Sequence, residues 1–232
     1  MSSEQVAAIP SARGLVPGLL ADAPSAVGAA IMCGGAGGGT LGPSGIYADL
    51  AERLPAVGIT ALRLDYRNPN VLHDCVADVL AGIAYLERRG ARRVVLIGWS
   101  FGGAVVIAAG AESAAVVGVA TVASQTFGTQ AISELAPRRR LLLIHGTLDH
   151  VLSDLCSRML YERAGEPKNL VLFQGDGHGI EQHRAEMLEQ LYTFCTDLLL
   201  PTQEDAASMQ SEERHIRSRR EPRQGGDDAQ HQ

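Results

Sequence analysis

One segment of the chain, residues 94–113, reads VVLIGWSFGGAVVIAAGAES. Its first four residues are β-branched or aliphatic, which is typical of a strand buried on both faces. From position 104 onward the segment is apolar and rich in alanine, as in a buried helix. Between these parts lies GWSFG (98–102), a G-x-S-x-G motif of the kind that holds a serine on a tight turn from strand to helix. The segment predicts a strand, a turn that presents Ser100, and a helix.

The two glycines of this motif have a steric explanation. At a strand-to-helix turn the neighbouring backbone passes close by, and a Cβ at Gly98 or Gly102 would collide with it. We therefore expect close backbone contacts at both positions.

Short apolar strand patterns and helix patterns alternate along most of the chain. Strand patterns cover residues 27–32, 59–64, 94–97, 116–122, 141–144 and 170–173, and helix patterns cover residues 45–56, 73–89, 102–113, 153–164 and 180–199. Residues 5–21, interrupted by prolines and glycines, predict an irregular hairpin at a sheet edge. The alternation predicts an α/β fold, in which a mostly parallel sheet is covered by helices on both faces. Functional side chains then belong at the carboxyl ends of the strands.

Composition divides the chain into two parts. Residues 1–200 contain all of these patterns, and one domain of that length can bury a sizeable core. Residues 201–232 are rich in Gln, Glu, Asp, Ser and Arg, and their last part contains almost nothing apolar. Such a segment cannot bury enough surface to offset the entropy of ordering it, so we predict a disordered polar tail.

Charge and cysteine content argue against several function classes. With a net charge of −6 at pH 7, the chain would not be attracted to nucleic acids or to anionic membranes. No secretory signal follows Met1, and no apolar run approaches the ~18 residues of a membrane span, so we expect a cytoplasmic protein. The four cysteines lie far apart without a C-x-x-C pair, which suggests neither a metal site nor a redox motif. We expect buried, reduced thiols and no cofactor.

An acidic candidate follows the strand pattern of residues 141–144. In HGTLDHV (145–151), Asp149 comes a few residues after the predicted strand, where a carboxylate could reach over the sheet end and orient an imidazole. A turn-stabilising or helix-capping aspartate is the alternative interpretation. Asp154 is the local rival, but its position better suits the first turn of the next helix.

A basic candidate follows the next strand pattern. In QGDGHG (174–179), His178 lies on a glycine-rich loop just past a strand, where either function or turn geometry would need an imidazole. His183 is close by but falls inside the helix pattern. His145, at the end of its strand, is interpreted as structural packing near the acidic loop. An incidental loop histidine is the alternative for His178.

Three of these segments, GWSFGG (98–103), HGTLD (145–149) and GDGHG (175–179), resemble the active-site segments of the α/β-hydrolase superfamily. The chain is most similar to its small, cap-less branch of dienelactone-hydrolase-like proteins and serine esterases. This resemblance implies a three-layer sandwich around a mostly parallel, eight-stranded type of sheet. It also implies a Ser-His-Asp triad of Ser100, His178 and Asp149 that cleaves an ester, thioester or amide of a small acyl substrate.

Triad chemistry needs two donors for the oxyanion. The backbone N–H of Phe101, where the helix starts, is one candidate, and the glycine loop 34–39 offers the other, best from Gly35. The chain departs from the family at two points. Many members have His-Gly after the third strand where this chain has CGG (33–35), and true dienelactone hydrolases have a cysteine in place of Ser100. The lactone-specific activity is therefore not transferred.

Residues beside the motifs have two interpretations each. Asp65, Tyr66 and Arg67 end a strand pattern and either line the site or form a structural turn. Trp99 and Phe101 flank the serine and either shape an apolar acyl pocket or pack beneath the turn.

Two other functions remain open. GGGTLG (37–42) matches the G-x-G-x-x-G pattern of a dinucleotide-binding loop, with Asp65 closing the next strand. However, residues 33–36 and Pro43 separate its glycines from the strand and the helix, and the pattern leaves the serine, acid and histidine unexplained. The other function is that of a ligand-binding protein that keeps the hydrolase fold. Such receptors generally have a helical cap, whereas residues 123–140 leave room for one short helix.

Overall fold

The structure, a computed structural model, describes residues 4–200. The polar tail predicted for residues 201–232 lies outside the described residues. The strands are β1 (Gln5–Ser11), β2 (Gly14–Ala21), β3 (Gly28–Cys33), β4 (Ile59–Leu64), β5 (Arg93–Trp99), β6 (Val116–Val122), β7 (Arg140–Gly146) and β8 (Lys168–Phe173). They form one eight-stranded sheet in the order β1-β2-β4-β3-β5-β6-β7-β8. Only β2 runs antiparallel to its neighbours β1 and β4 among these described strands.

Helices cover both faces of this sheet. They are α1 (Ile46–Arg53), α2 (Leu72–Arg88), α3 (Phe101–Glu112), α4 (Leu155–Arg163) and α5 (Arg184–Leu199). On one face α1 and α5 pack against the sheet, and on the other face α2, α3 and α4 do so. The predicted α/β three-layer sandwich with a mostly parallel eight-stranded sheet is confirmed.

Burial along the strands and helices explains why they form in this arrangement. Every residue of β3 and β4 is buried, because both strands lie inside the sheet with helices on both faces. β1 alternates between exposed and buried residues, as expected of an edge strand. α2 buries a stripe at helical spacing, formed by Cys75, Val76, Val79, Ile83 and Leu86. α3 is buried on nearly all sides and packs against both the sheet and α2.

Two predicted elements differ from the observed ones. The hairpin of residues 5–21 is regular, with continuous pairing from Gln5 with Leu20 to Ser11 with Gly14. Pro10 is tolerated there because β1 is the outermost strand. The helix predicted to begin at residue 180 begins at Arg184. The intervening residues form a turn that includes the left-handed Ile180.

The carboxyl ends of the parallel strands meet along one edge of the sheet. Cys33 of β3 pairs with Gly98 of β5, which pairs in turn with Thr121 of β6. Farther along, Gly146 of β7 pairs with Phe173 of β8. The segments after these strands therefore emerge together, and they contain the glycine loop, Ser100, Asp149 and His178. No helix among residues 4–200 is long and apolar enough to cross a membrane.

Candidate active site

Ser100 lies on a sharp turn between β5 and α3. Its backbone has φ 57° and ψ −120°, an uncommon conformation for a residue with a side chain. A Cβ at Gly98 would collide with the carbonyl oxygen of Gly102, and a Cβ at Gly102 would collide with that of Gly34. The predicted close contacts at both glycines are confirmed. We call residues 98–102 the elbow.

Asp149 is buried and its two carboxylate oxygens accept hydrogen bonds from different groups. Oδ1 accepts the backbone N–H of Val151 at 2.8 Å and of Leu152 at 2.9 Å. Oδ2 lies 2.7 Å from Nδ1 of His178. Burial alone would raise the pKa of Asp149, but the hydrogen bonds from His178 and from these backbone groups outweigh it and hold the pKa below its usual range. The carboxylate is therefore ionised at neutral pH.

His178 is half-buried on the loop after β8, and its hydrogen bond to Asp149 sets its tautomer. Because Nδ1 faces a carboxylate, that nitrogen carries the proton in the neutral ring, and Nε2 is left as the basic nitrogen. Trp99 of the elbow donates from Nε1 to the carbonyl oxygen of His178 at 3.1 Å, and their rings lie 5.4 Å apart. Trp99, the residue before Ser100, thus links the histidine loop to the elbow.

Of the three predicted residues, the structure brings two into direct contact and the third close to them. Asp149 and His178 are in direct contact, and Ser100 is linked to His178 through Trp99. Within residues 4–200 no hydrogen bond joins the Ser100 hydroxyl to the His178 ring. Hydrogen bonds of this kind are often long before substrate binds.

The predicted oxyanion residues both lie next to Ser100. A Cβ at Gly35 would lie 3.4 Å from Cβ of Ser100, so the glycine loop passes beside the serine. Phe101 is the first residue of α3, and an N–H group in a first helical turn has no partner within its own helix.

The glycine loop is held by the end of β4, which argues against a dinucleotide-binding role. The N–H of Gly39 and that of Tyr66 donate to Oδ1 of Asp65 at 2.7 and 3.0 Å, so this carboxylate is engaged inside the protein. Pro43 begins a short 3₁₀ helix, and α1 begins only at Ile46. Arg67 extends the structural role, because its side chain pairs with the buried carboxylate of Asp78.

The interpretation of His145 as structural packing omits its contact with the candidate acid. His145 is fully buried, and its Nε2 lies 2.9 Å from the carbonyl oxygen of Leu152 and 3.2 Å from Oδ2 of Asp149. Both partners are acceptors, so Nε2 carries the proton, and Nδ1 accepts from the hydroxyl of Ser157 at 2.7 Å. A signal was present in the sequence, because His145 and Asp149 lie four residues apart at a strand end.

Two further residues near the site can be compared with their predicted places: His183 differs from its prediction, and Asp154 agrees with it. His183 precedes α5 rather than lying inside it, and its ring stacks on Phe173 and contacts Oδ2 of the buried Asp176 at 2.5 Å. That carboxylate also accepts the N–H groups of Gln182 and His183, just before α5. Asp154 precedes α4 and binds Arg158 at 2.9 Å, in agreement with its predicted place at the helix start.

The cysteines and the acidic side chains form no metal cluster. Among the described residues, no group of three or more His, Cys, Asp or Glu could hold a metal ion. All four cysteines are free, and Cys33, Cys75 and Cys195 are buried, whereas Cys156 is half-buried. Burial raises the pKa of Cys75 to about 11 and that of Cys195 to about 12.

No family model and no curated protein matches the chain. Solved structures do match. Dienelactone hydrolase from Anabaena variabilis has a TM-score of 0.74 and 18% sequence identity, over 85% of this chain and 98% of that one. The esterase domain of a Rhodothermus marinus protein has a TM-score of 0.70 and 20% identity, over 85% and 100%. An alpha-beta serine hydrolase homologue from Coxiella burnetii has a TM-score of 0.68 and 19% identity, over 84% and 98%.

The protein has the α/β-hydrolase fold, in its dienelactone-hydrolase-like form. In the part of the chain that the structure describes, no helical domain lies between β6 and β7. Their connection contains only the short 3₁₀ helix Gln130–Glu134, as its length predicts. No helical domain in that connection therefore covers the candidate site.

Proposed function

We propose that this protein is a serine hydrolase that cleaves a carboxylic ester, or a related thioester or amide, through an acyl-enzyme intermediate. The observation that supports this most is the 2.7 Å contact between His178 and Asp149 at the sheet edge where the elbow presents Ser100. A serine is a weak nucleophile until a base takes its proton. The histidine supplies that base, and the ionised acid holds it in the required tautomer.

The reaction proceeds in two halves. Oγ of Ser100 attacks the carbonyl carbon while Nε2 of His178 takes the hydroxyl proton, and the carbonyl electron pair moves onto oxygen. When the intermediate collapses, the alcohol, thiol or amine leaves with the proton from His178, and the acyl group stays on Ser100. Water then attacks the acyl group while His178 takes its proton; when this second intermediate collapses, His178 returns the proton to Oγ of Ser100, and the carboxylic acid leaves.

The tetrahedral intermediate places a negative charge on the former carbonyl oxygen. The backbone N–H groups of Gly35 and Phe101 are the proposed donors to it, because the glycine loop and the start of α3 both lie next to Ser100. Losing one such donor typically lowers the rate by ~10²–10³.

The short connection between β6 and β7 favours small substrates that reach the site from solvent. The similarity to a dienelactone hydrolase and to an esterase domain agrees with acyl chemistry, although at 18–20% identity it concerns the fold. Ester, thioester and amide substrates share the same triad steps.

Hydrolysis of p-nitrophenyl acetate and butyrate by purified protein tests this proposal. Ser100→Ala should lower kcat by ~10⁶, because it removes the nucleophile. Ser113→Ala is the matched control, since Ser113 lies at the other end of α3. Wild-type turnover in Ser100→Ala would contradict the proposal, and no turnover by the wild-type protein would favour a ligand-binding role.

A further inference from the structure

Two buried tyrosines donate to consecutive carbonyl groups where β3 runs into the glycine loop. The hydroxyl of Tyr47 donates to the carbonyl oxygen of Cys33 at 3.0 Å, and the hydroxyl of Tyr66 donates to that of Gly34 at 3.3 Å. Tyr47 is fully buried and Tyr66 is 4% exposed. The two residues make the same kind of contact, one peptide unit apart.

The second of these peptide units contains the proposed oxyanion donor. The carbonyl of Gly34 and the N–H of Gly35 belong to one planar trans peptide, so they point in opposite directions. A hydrogen bond that fixes this carbonyl therefore also fixes the direction of the N–H. It also polarises the peptide, since hydrogen bonds in a chain strengthen one another.

Tyr66 is itself held in a defined position. Its ring packs edge-on against Phe101, with centroids 6.3 Å apart and an interplanar angle of 86°. Its backbone N–H donates to Oδ1 of Asp65, which also accepts the N–H of Gly39. The end of β4 thus contacts both ends of the glycine loop, at Gly34 and at Gly39. The Gly34 carbonyl also lies against Gly102 of the elbow.

We propose that Tyr66 is a positioning residue for the oxyanion donor: its hydroxyl fixes and polarises the peptide between Gly34 and Gly35, so that the Gly35 N–H meets the developing oxyanion. This inference rests on the proposed function. Tyr47 makes the corresponding bond one residue earlier, to the peptide whose N–H belongs to Gly34. It holds the end of β3 and has no share in the oxyanion contact.

The test compares Tyr66→Phe with Tyr47→Phe in ester hydrolysis by the full chain. Each variant keeps its ring and loses one buried hydroxyl, so the two should lower the melting temperature by similar amounts. Because the oxyanion is absent from the bound substrate and develops only on the way to the tetrahedral intermediate, Tyr66→Phe should lower kcat about tenfold and leave KM unchanged. Tyr47→Phe should keep kcat within about twofold of the wild type, because its peptide does not face the oxyanion.

A second measurement does not depend on turnover. In the reaction of Ser100 with a fluorophosphonate, Oγ bonds to phosphorus while His178 takes the hydroxyl proton, fluoride leaves, and charge develops on the phosphoryl oxygen. Tyr66→Phe should slow this labelling and Tyr47→Phe should not. Wild-type kcat and labelling rate in Tyr66→Phe, or equal losses in both variants, would overturn the inference while Ser100-dependent turnover still supported the proposed function. Absence of Ser100-dependent turnover in the wild-type protein would overturn both.

Discussion

The elbow and the acid–base side of the candidate site are held in place by different forces. At the elbow, Gly98 and Gly102 permit backbone contacts so close that no side chain would fit. On the other side, Asp149 and His178 lie on two separate loops. The buried carboxylate of Asp149 joins them, because it accepts hydrogen bonds from its own loop and from His178. The geometry of the elbow thus depends on sterics, between neighbours in sequence at Gly98 and against the glycine loop at Gly102. The geometry of the acid–base pair depends on polar contacts between residues far apart in the chain.

This contrast implies that the two sides respond differently to substitution. A change at an elbow glycine should disturb the packing of the strand, the helix and the glycine loop together. A change in the polar network should leave the fold intact and act on the reaction.

Among the variants that test this comparison, Asp149→Asn should have the largest effect. The amide can no longer hold Nδ1 of His178 in its protonated tautomer, so kcat should fall by ~10⁴ while the protein stays folded. Ester hydrolysis and circular dichroism measure the two quantities. Asp154→Asn, which alters an exposed pair with Arg158, is the control. A loss of less than tenfold in Asp149→Asn would show that the acid has no role in the reaction.

The same variant has a pH signature. The folded-state pKa of Asp149 is lowered, so its ionised form stabilises the fold above the ordinary value of about 4, and this contribution is lost as the pH falls through the folded-state pKa. The difference in unfolding free energy between the wild type and Asp149→Asn should therefore shrink from pH 7 to pH 3. A difference independent of pH would contradict the lowered pKa.

Gly98→Ala should act mainly on stability. Its Cβ would collide with the backbone carbonyl of Gly102, so the turn must shift, and the free energy of unfolding should fall by about 3 kcal/mol. Gly37→Ala is the matched control, because a Cβ there meets nothing within 4 Å. Denaturant unfolding of both variants measures the difference. Equal stability of Gly98→Ala and Gly37→Ala would show that sterics do not fix the elbow.

The smallest effect is expected from Ser157→Ala, at the far end of the polar network. The variant removes the hydroxyl that donates to Nδ1 of His145, and leaving this acceptor unpaired should cost about 1–2 kcal/mol of stability. Since His145 only touches Asp149 through its other nitrogen, kcat should fall less than about tenfold. Ser153→Ala, at an exposed serine just before α4, should lower stability by less and leave kcat unchanged. If Ser157→Ala had the same kcat and the same stability as this control, the hydrogen bond between Ser157 and His145 would contribute to neither quantity.

The fold and the positions of the candidate residues could be predicted because they depend on local patterns. The run of apolar residues before GWSFG specifies a buried strand, and the glycines specify the turn, so Ser100 is placed without knowledge of the rest of the chain. Asp149 and His178 follow from the order of the strands, since the carboxyl ends of parallel strands meet at one edge.

The supporting contacts could not be predicted because their partners are distant in sequence. Nothing near Gly34 indicates that Tyr66 donates to its carbonyl, and nothing near His145 indicates that Ser157 lies against its ring. The start of α5 was predicted too early for the same reason. Ile180 has a left-handed backbone, which an α-helix cannot contain, and the buried Asp176 accepts the N–H groups of Gln182 and His183 just before α5; a helical pattern alone reveals neither.

The central claim is that Ser100 is a nucleophile activated by His178 and Asp149. Treating the wild-type protein with a fluorophosphonate and mapping the adduct by peptide mass spectrometry tests it most directly. We predict one phosphonyl group per chain, on Ser100, with labelling strongly slowed in His178→Ala. An unlabelled protein, or an adduct on a different serine, would contradict the claim.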